Sequence, residues 1–137
     1  QFHLFINHSS CLLGISETSS DMQDLLENEH KDTRAAEAVE LFCYQTKKWI
    51  GSFTAVLEGL ETLVFAGGIG ENAPEVRSRI CNGLQFLGIE LNEKRNTENN
   101  SIISTDKSRV TIRVIKTNEE LMIAKSVHKF LNSSDKK

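Results

Sequence analysis

The chain has 137 residues, 39% hydrophobic and 26% charged, with a formal net charge of −3; that suffices for one domain with a core and falls short of two of ordinary size. The weak negative charge and scattered basic residues argue against nucleic acid or an anionic membrane as partner, and no apolar run is long enough to span a bilayer. Cys11, Cys43 and Cys81 are odd in number, far apart and without C-x-x-C spacing, which predicts reduced core thiols of a cytoplasmic protein rather than disulfides, a catalytic thiol or a metal site.

Gln1 to Ile6 is apolar but short, with neither a basic start nor an initiating Met, so it does not read as a secretory signal, and the abrupt beginning predicts a chain fragment. A short strand is expected at Leu4 to Ile6 and a turn around Gly14. Ser19, Ser20 and Asp21 crowd a helix start, with Ser20 and Gln23 spaced as a capping box, which predicts a helix through Glu27; capping is the ordinary role of Asp21 there. After a polar break at 28–32, Ala35, Val39, Phe42, Thr46, Trp49 or Ile50, Phe53, Leu57 and Leu60 recur every three or four residues, an amphipathic helix over 33–58 that Gly51 kinks and Gly59 ends. Its aromatic residues are expected in the core, with part of the stripe left for a subunit interface.

Leu63, Val64 and Phe65 form an apolar strand, and glycines at 67, 68 and 70 follow without a linker, so the chain turns sharply where α/β proteins place ligands. Pro74 suits the first turn of a helix, and Asn72 with Glu75 is spaced as a capping box. Strand, glycine turn and helix N-terminus together predict an anion site, with phosphate the natural occupant. The segment also fits the loose dinucleotide fingerprint, with Glu90 near the place of a ribose acid, so a nicotinamide or flavin reading stays open. There is no G-x-x-x-x-G-K-[ST], hence no P-loop.

Val76, Ile80, Leu84 and Leu87 share one face of the next helix, which Gly88 stops; Arg77 and Arg79 are expected in solvent, outside the site. Ile89 to Leu91 is extended, 92–100 is a polar and mobile loop, and Ile102 with Ile103 forms an edge strand. Val110, Ile112 and Val114 alternate as a half-buried strand; beside Leu63 to Phe65 it would complete a right-handed βαβ unit. Thr117 and Glu120 are spaced as a capping box for a last helix from Asn118 to Leu131, with a frayed tail after it, and leave Glu119 near the helix dipole.

Phe65 to Leu91 resembles the C-terminal domain of the acetate kinase family. Leu13-Gly-Ile-Ser16, Ser20-Asp-Met-Gln-Asp-Leu-Leu26 and Thr117-Asn-Glu-Glu-Leu-Met-Ile-Ala124 resemble the same family in the same order, so the likeness runs from about Ser10 to Leu131 and corresponds to roughly the last third of a member. The resemblance implies an α/β fold, the C-terminal part of an actin-like, ribonuclease-H-like ATPase domain, as a single partial domain. It implies reversible transfer of the ATP γ-phosphoryl group to acetate, with Mg²⁺ (or Mn²⁺), in a homodimer that joins through this domain. In that reading Asp21, Met22 and Gln23 flank ATP or ADP, Gly68, Ile69, Gly70, Glu71 and Asn72 hold it, and Glu119 positions the metal. Two departures stand out: Gln23 replaces an Arg and so brings neither charge nor fork, and Lys116 stands where the family often has Pro. The family's acetate pocket and its catalytic Arg, His and Asp lie outside this chain, which implies that the chain alone is inactive and that acetate, propionate and butyrate cannot be told apart. Two other readings are a Rossmann-type oxidoreductase module and a non-catalytic fragment that dimerises through the 33–58 helix.

Overall fold

Two strands rich in β-branched residues, β1 (Thr62–Ala66) and β2 (Thr111–Ile115), lie side by side in parallel, Thr62 opposite Thr111 and Ala66 opposite Ile115. The computed structural model describes residues 12–134 apart from the side chains of Glu119 and residues 132–134. The strand expected at Leu4 to Ile6, Cys11 and residues 135–137 of the tail lie outside that description.

Parallel strands need a crossover, and the segment between them supplies it as a string of short helices. These are α4 (Gly67–Asn72), α5 (Pro74–Cys81), a 3-10 turn at Gln85–Leu87 and α6 (Glu93–Thr97). Helix α5 is shorter than its apolar spacing predicts, because Asn82 is extended and Gly83 takes a left-handed φ of 83°; Leu84 is nevertheless buried just past the break. Residues 92–100 are not the mobile loop expected of a polar stretch. Asn92 caps α6 by accepting from the Arg95 N–H at 3.0 Å, and Asn96 is buried. Ile102 and Ile103 run antiparallel along β2 as expected of an edge, the Ile103 N–H reaching the Ile112 carbonyl at 2.9 Å.

Before the sheet come α1 (Leu12–Ser16), α2 (Met22–Asn28) and α3 (Thr33–Val56). Gly14 sits inside α1, not in a turn. The corner falls instead at Glu17, with φ 55°, stabilised by the buried Ser16 hydroxyl, which donates to the Ser19 carbonyl at 2.7 Å and accepts from the Thr18 and Ser19 N–H groups. The cap of α2 is Asp21 itself, whose Oδ1 accepts from the Gln23 N–H at 2.7 Å; Ser20 and Gln23 form no box.

Helix α3 runs through Gly51 unbroken and ends at Val56, where Glu58 takes the left-handed conformation and the Gly59 N–H closes on the Thr54 carbonyl at 3.0 Å. Ala35, Ala38, Val39 and Cys43 face the core, small side chains that let α1, α2 and α5 approach closely. In the second half of the stripe Ile50 and Leu60 pack half-buried against the core, and the rest of its large apolar side chains do not reach it. At about 36 Å for 24 residues, α3 is longer than the elements it packs on. Trp49 (56% exposed) and Phe53 (57%) stack on each other in the open, ring centres 5.8 Å apart. The last helix, α7 (Glu119–Ser134), extends past Leu131 and leaves Met122, Ile123, Val127 and Phe130 exposed. The core itself joins Leu25, Val39, Val76, Ile80, Ile89, Ile103, Val110 and Ile112, side chains from both sides of the sheet in sequence.

Glu29, just past α2, grips Arg79 of α5 with both carboxylate oxygens, at 2.8 and 2.5 Å, and the hydrogen bonds from Arg79 hold its carboxyl below the usual carboxylate range. A depressed carboxyl contributes stability that is present above its unfolded pKa of about 4.3 and is lost as pH falls through the folded value. Glu29→Gln is therefore expected to flatten the acid side of the stability profile. Urea midpoints at pH 6 and pH 3.5 measure it, and the difference should stay near or below about 1 kcal/mol because the pair is partly screened by solvent.

Candidate functional site

Beyond the carboxyl end of β1 the chain does not make an open glycine loop. It enters α4 at once, with Gly67 at φ 71° reversing the backbone and Gly70 lying where a Cβ would meet the Phe65 carbonyl carbon at 3.1 Å. Gly68 and Gly70 take no left-handed φ, so the latitude expected at all three glycines is used at one. Helix α4 then passes through Ala73 into α5, whose first residue is Pro74. The box expected between Asn72 and Glu75 is absent. Asn72 Nδ2 donates back to the Gly68 carbonyl at 3.0 Å, and Glu75 pairs with Arg79 one turn on.

This arrangement brings two stretches remote in sequence to one cleft of about 520 Å³. Ser20, Asp21, Met22, Gln23 and Leu26 line one side, and Gly68, Ile69, Asn72, Ala73, Pro74 and Glu75 the other. Of the residues marked out in the sequence, Asp21, Met22, Gln23, Gly68, Ile69 and Asn72 meet there. Met22 closes the wall from the core side and is only 4% exposed. Gln23 Nε2 lies along its own helix, donating to Glu27 at 3.0 Å.

Glu71 faces elsewhere. One oxygen, Oε1, accepts from the Gly67 N–H at 3.0 Å, the Thr117 N–H at 2.8 Å and the Thr117 hydroxyl at 2.7 Å. Those Thr117 hydrogen bonds, then that from Gly67 and the nearby Lys116 charge, hold the carboxyl below its usual range. The carboxylate thus clips the end of β2 to the start of α4. Thr117 is consequently not the cap of α7: Asn118 is, its Oδ1 accepting from the Leu121 N–H at 2.9 Å, and the box with Glu120 does not form. Glu119 opens α7 directly beyond this clip, and its side chain lies outside the described residues. Among the described residues no group of three or more His, Cys, Asp or Glu side chains is placed to hold a metal.

Arg77 and Arg79 are not the solvated side chains that sequence reading expects. Arg79 bridges α2 and α5, and Arg77 is completely buried behind α4. Its Nη1 donates to the Gly70 carbonyl at 2.8 Å and the Glu71 carbonyl at 3.1 Å, and its Nε to Asn96 Oδ1 at 2.7 Å, while Asn96 Nδ2 reaches the Pro74 carbonyl at 2.8 Å. A signal was present: Arg77 stands three and four residues before Ile80 and Cys81, on the buried face of the same helix. Asn96 carried none, inside a stretch polar throughout. Cys43 and Cys81 are free and buried, and burial pushes the Cys81 thiol up to about 12, which leaves it inert. Glu90, the ribose acid of the dinucleotide reading, accepts from the Thr105 hydroxyl and lines no part of the cleft, so that reading is not sustained.

The sequence model of the acetokinase family matches residues 1–125. Acetate kinase of Clostridium acetobutylicum is 46% identical over 125 residues, 88% of this chain and 31% of its own length. The crystal structure of acetate kinase from Porphyromonas gingivalis superposes with a TM-score of 0.83 at 34% identity, over 94% of this chain and 33% of that one. A propionate kinase from Francisella tularensis does so with a TM-score of 0.79 at 36% identity, over 90% and 32%. The chain spans about a third of the length of the curated relatives it matches.

Proposed function

The chain belongs to the acetokinase family, and on that premise we propose that it is the nucleotide-handling third of an enzyme that moves the γ-phosphoryl group of ATP reversibly to acetate, giving acetyl phosphate and ADP. The observation that carries this reading is the cleft between α2 and α4, where the Asp21 to Gln23 edge faces Gly68 to Asn72 across a space fit for a nucleotide. Phosphoryl transfer asks for alignment and charge compensation more than covalent chemistry, so an exposed backbone segment held rigidly from behind suits it.

In this reading Gly68, Ile69 and Asn72 receive the phosphates and Asp21, Met22 and Gln23 flank the rest of the nucleotide, while Gly70, which does not line the cleft, seats α4 on β1 and Glu71 holds α4 to β2. Mg²⁺ or Mn²⁺ is bound through few protein oxygens, the rest of its shell being phosphate and water. Glu119 is the proposed protein ligand, since it begins α7 two residues after the Thr117 that Glu71 clips. The acceptor, acetate or propionate, and the groups that activate it belong to the two thirds of the relatives that this chain does not match. The 137 residues make one partial domain. The bare second half of α3, with Trp49 and Phe53 stacked outward, supports pairing with a second copy, and the reduced thiols support a cytoplasmic setting.

The chain alone is expected to give no turnover with ATP, Mg²⁺ and acetate in a coupled assay, and to bind Mg-ADP in preference to NADH by calorimetric titration. Turnover near that of an intact kinase, or no heat with Mg-ADP at millimolar concentration, defeats the proposal.

A further inference from the structure

We propose that Arg77 is a positioning residue that works the nucleotide cleft from behind, fixing the last turn of α4 while keeping a positive charge, unneutralised by any carboxylate, against the segment that receives phosphate. This rests on the nucleotide reading of the cleft.

The guanidinium has five N–H groups, and each finds a neutral oxygen. Besides Asn96 Oδ1 and the Gly70 and Glu71 carbonyls, Nη2 donates to the Asn96 carbonyl at 2.9 Å and to Asn99 Oδ1 at 2.5 Å. Arg79, by contrast, meets the carboxylates of Glu29 and Glu75, and Arg95 meets Asp106. Among the described residues no carboxylate pairs with Arg77. Glu75, the nearest in sequence, is taken by Arg79, and Glu71 spends its charge on Gly67 and Thr117, beside Lys116. A fully buried cation satisfied only by dipoles is costly to keep, and an apolar side chain with repacking would cost less if the position served packing alone.

Gly68 and Ile69 line both the nucleotide cleft and a second cavity, of about 400 Å³, that Arg77 shares with Phe42, Val64 and Ile80. Helix α4 is therefore the wall between cation and cleft. Phe42, Val64, Phe65, Ile69, Val76 and Ile80 wall that cavity and Arg77 itself is cut off from solvent, so its charge is less screened than a surface one.

Asn99→Asp tests this without dismantling the site. It places a carboxylate where the amide oxygen already accepts from Nη2, keeps the hydrogen bond, and suits the left-handed φ of 53° at this position. Titrations use ADP with magnesium withheld, and adenosine as the uncharged reference. The expected result is an ADP affinity lowered about fivefold or more, with adenosine affinity and melting temperature held or raised. Arg77→Lys keeps charge and loses the fork, and should melt lower yet retain the preference for ADP over adenosine. An Asn99→Asp chain that binds ADP like wild type overturns the proposal and leaves Arg77 a scaffold. A wild-type chain that binds neither ligand overturns the nucleotide reading itself, and this inference with it.

Discussion

Arg77→Met is expected to cost about 3–5 kcal/mol of folding stability, the largest loss of any single polar replacement among the described residues. The side chain is the joint of three segments otherwise linked only by a few contacts: the end of α4, the body of α5, and the Asn96 to Asn99 turn of α6. Methionine fills part of the volume but donates nothing, so the Gly70, Glu71 and Asn96 carbonyls and the Asn96 side chain lose a partner at once. Each such orphaned acceptor costs about 1–3 kcal/mol when water cannot reach it, and the Asn99 side, nearer the surface, is repaid by solvent. Relief of the buried charge offsets some of the loss, which is why the sum stays below five separate penalties. Urea unfolding followed by the fluorescence of Trp49 measures it, with Arg79→Met as the contrast at about 1 kcal/mol, since that pair is partly solvated. A cost for Arg77→Met no greater than for Arg79→Met would show that Arg77 is not the joint of these segments.

Local rules read well where a single residue decides a conformation. Pro74 opens a helix, Asp21 caps one, the periodicity read over 33–58 is a helix as far as Val56, and the apolar run of β1 pairs in parallel with the alternating β2. Those rules fail where a side chain has two acceptable partners and tertiary structure chooses. Thr117 is spaced for Glu120 but bonds Glu71, 46 positions away in sequence, because the parallel pairing of β1 and β2 brings their ends together. Asn72 is spaced for Glu75 but turns back on Gly68, because Glu75 is claimed by Arg79. Residues 92–100 look solvated by composition, yet one buried guanidinium needs acceptors and Asn96 and Asn99 supply them.

The cleft was legible in its parts and not as a cleft. Asp21 to Gln23 and Gly68 to Asn72 were marked out by resemblance and by glycine spacing, but the facing of Asp21, Met22 and Gln23 to Gly68, Ile69 and Asn72 depends on α2 and α5 both packing on α3, with Arg79 bonded to Glu29 between them. Trp49 and Phe53 were expected in the core and lie exposed for a related reason. Periodicity reveals that a face is apolar and not what lies against it.

Gly70→Ala is expected to weaken ADP binding about tenfold, the equivalent of about 1.4 kcal/mol, and to cost about 1–3 kcal/mol of stability. The added methyl would sit 3.1 Å from the Phe65 carbonyl carbon, 3.4 Å from its Cα and 3.5 Å from its Cβ. Two of those three atoms are backbone of β1, which is pinned by pairing to β2, so the strand cannot yield and α4 must move away from it. That displacement carries Gly68, Ile69 and Asn72 with it and pulls the Gly70 carbonyl off Arg77. Gly68→Ala separates the two effects. Its Cβ meets nothing within 4 Å and replaces glycine inside a helix, so stability should hold or rise by up to about 1 kcal/mol, while the methyl intrudes on the face proposed to receive phosphate. Thermal melts with and without ADP distinguish the pair: the Gly70 variant loses both basal stability and the shift produced by ligand, the Gly68 variant only the shift. Should Gly70→Ala melt like wild type and bind ADP undiminished, the close seating of α4 on β1 has no part in forming the site.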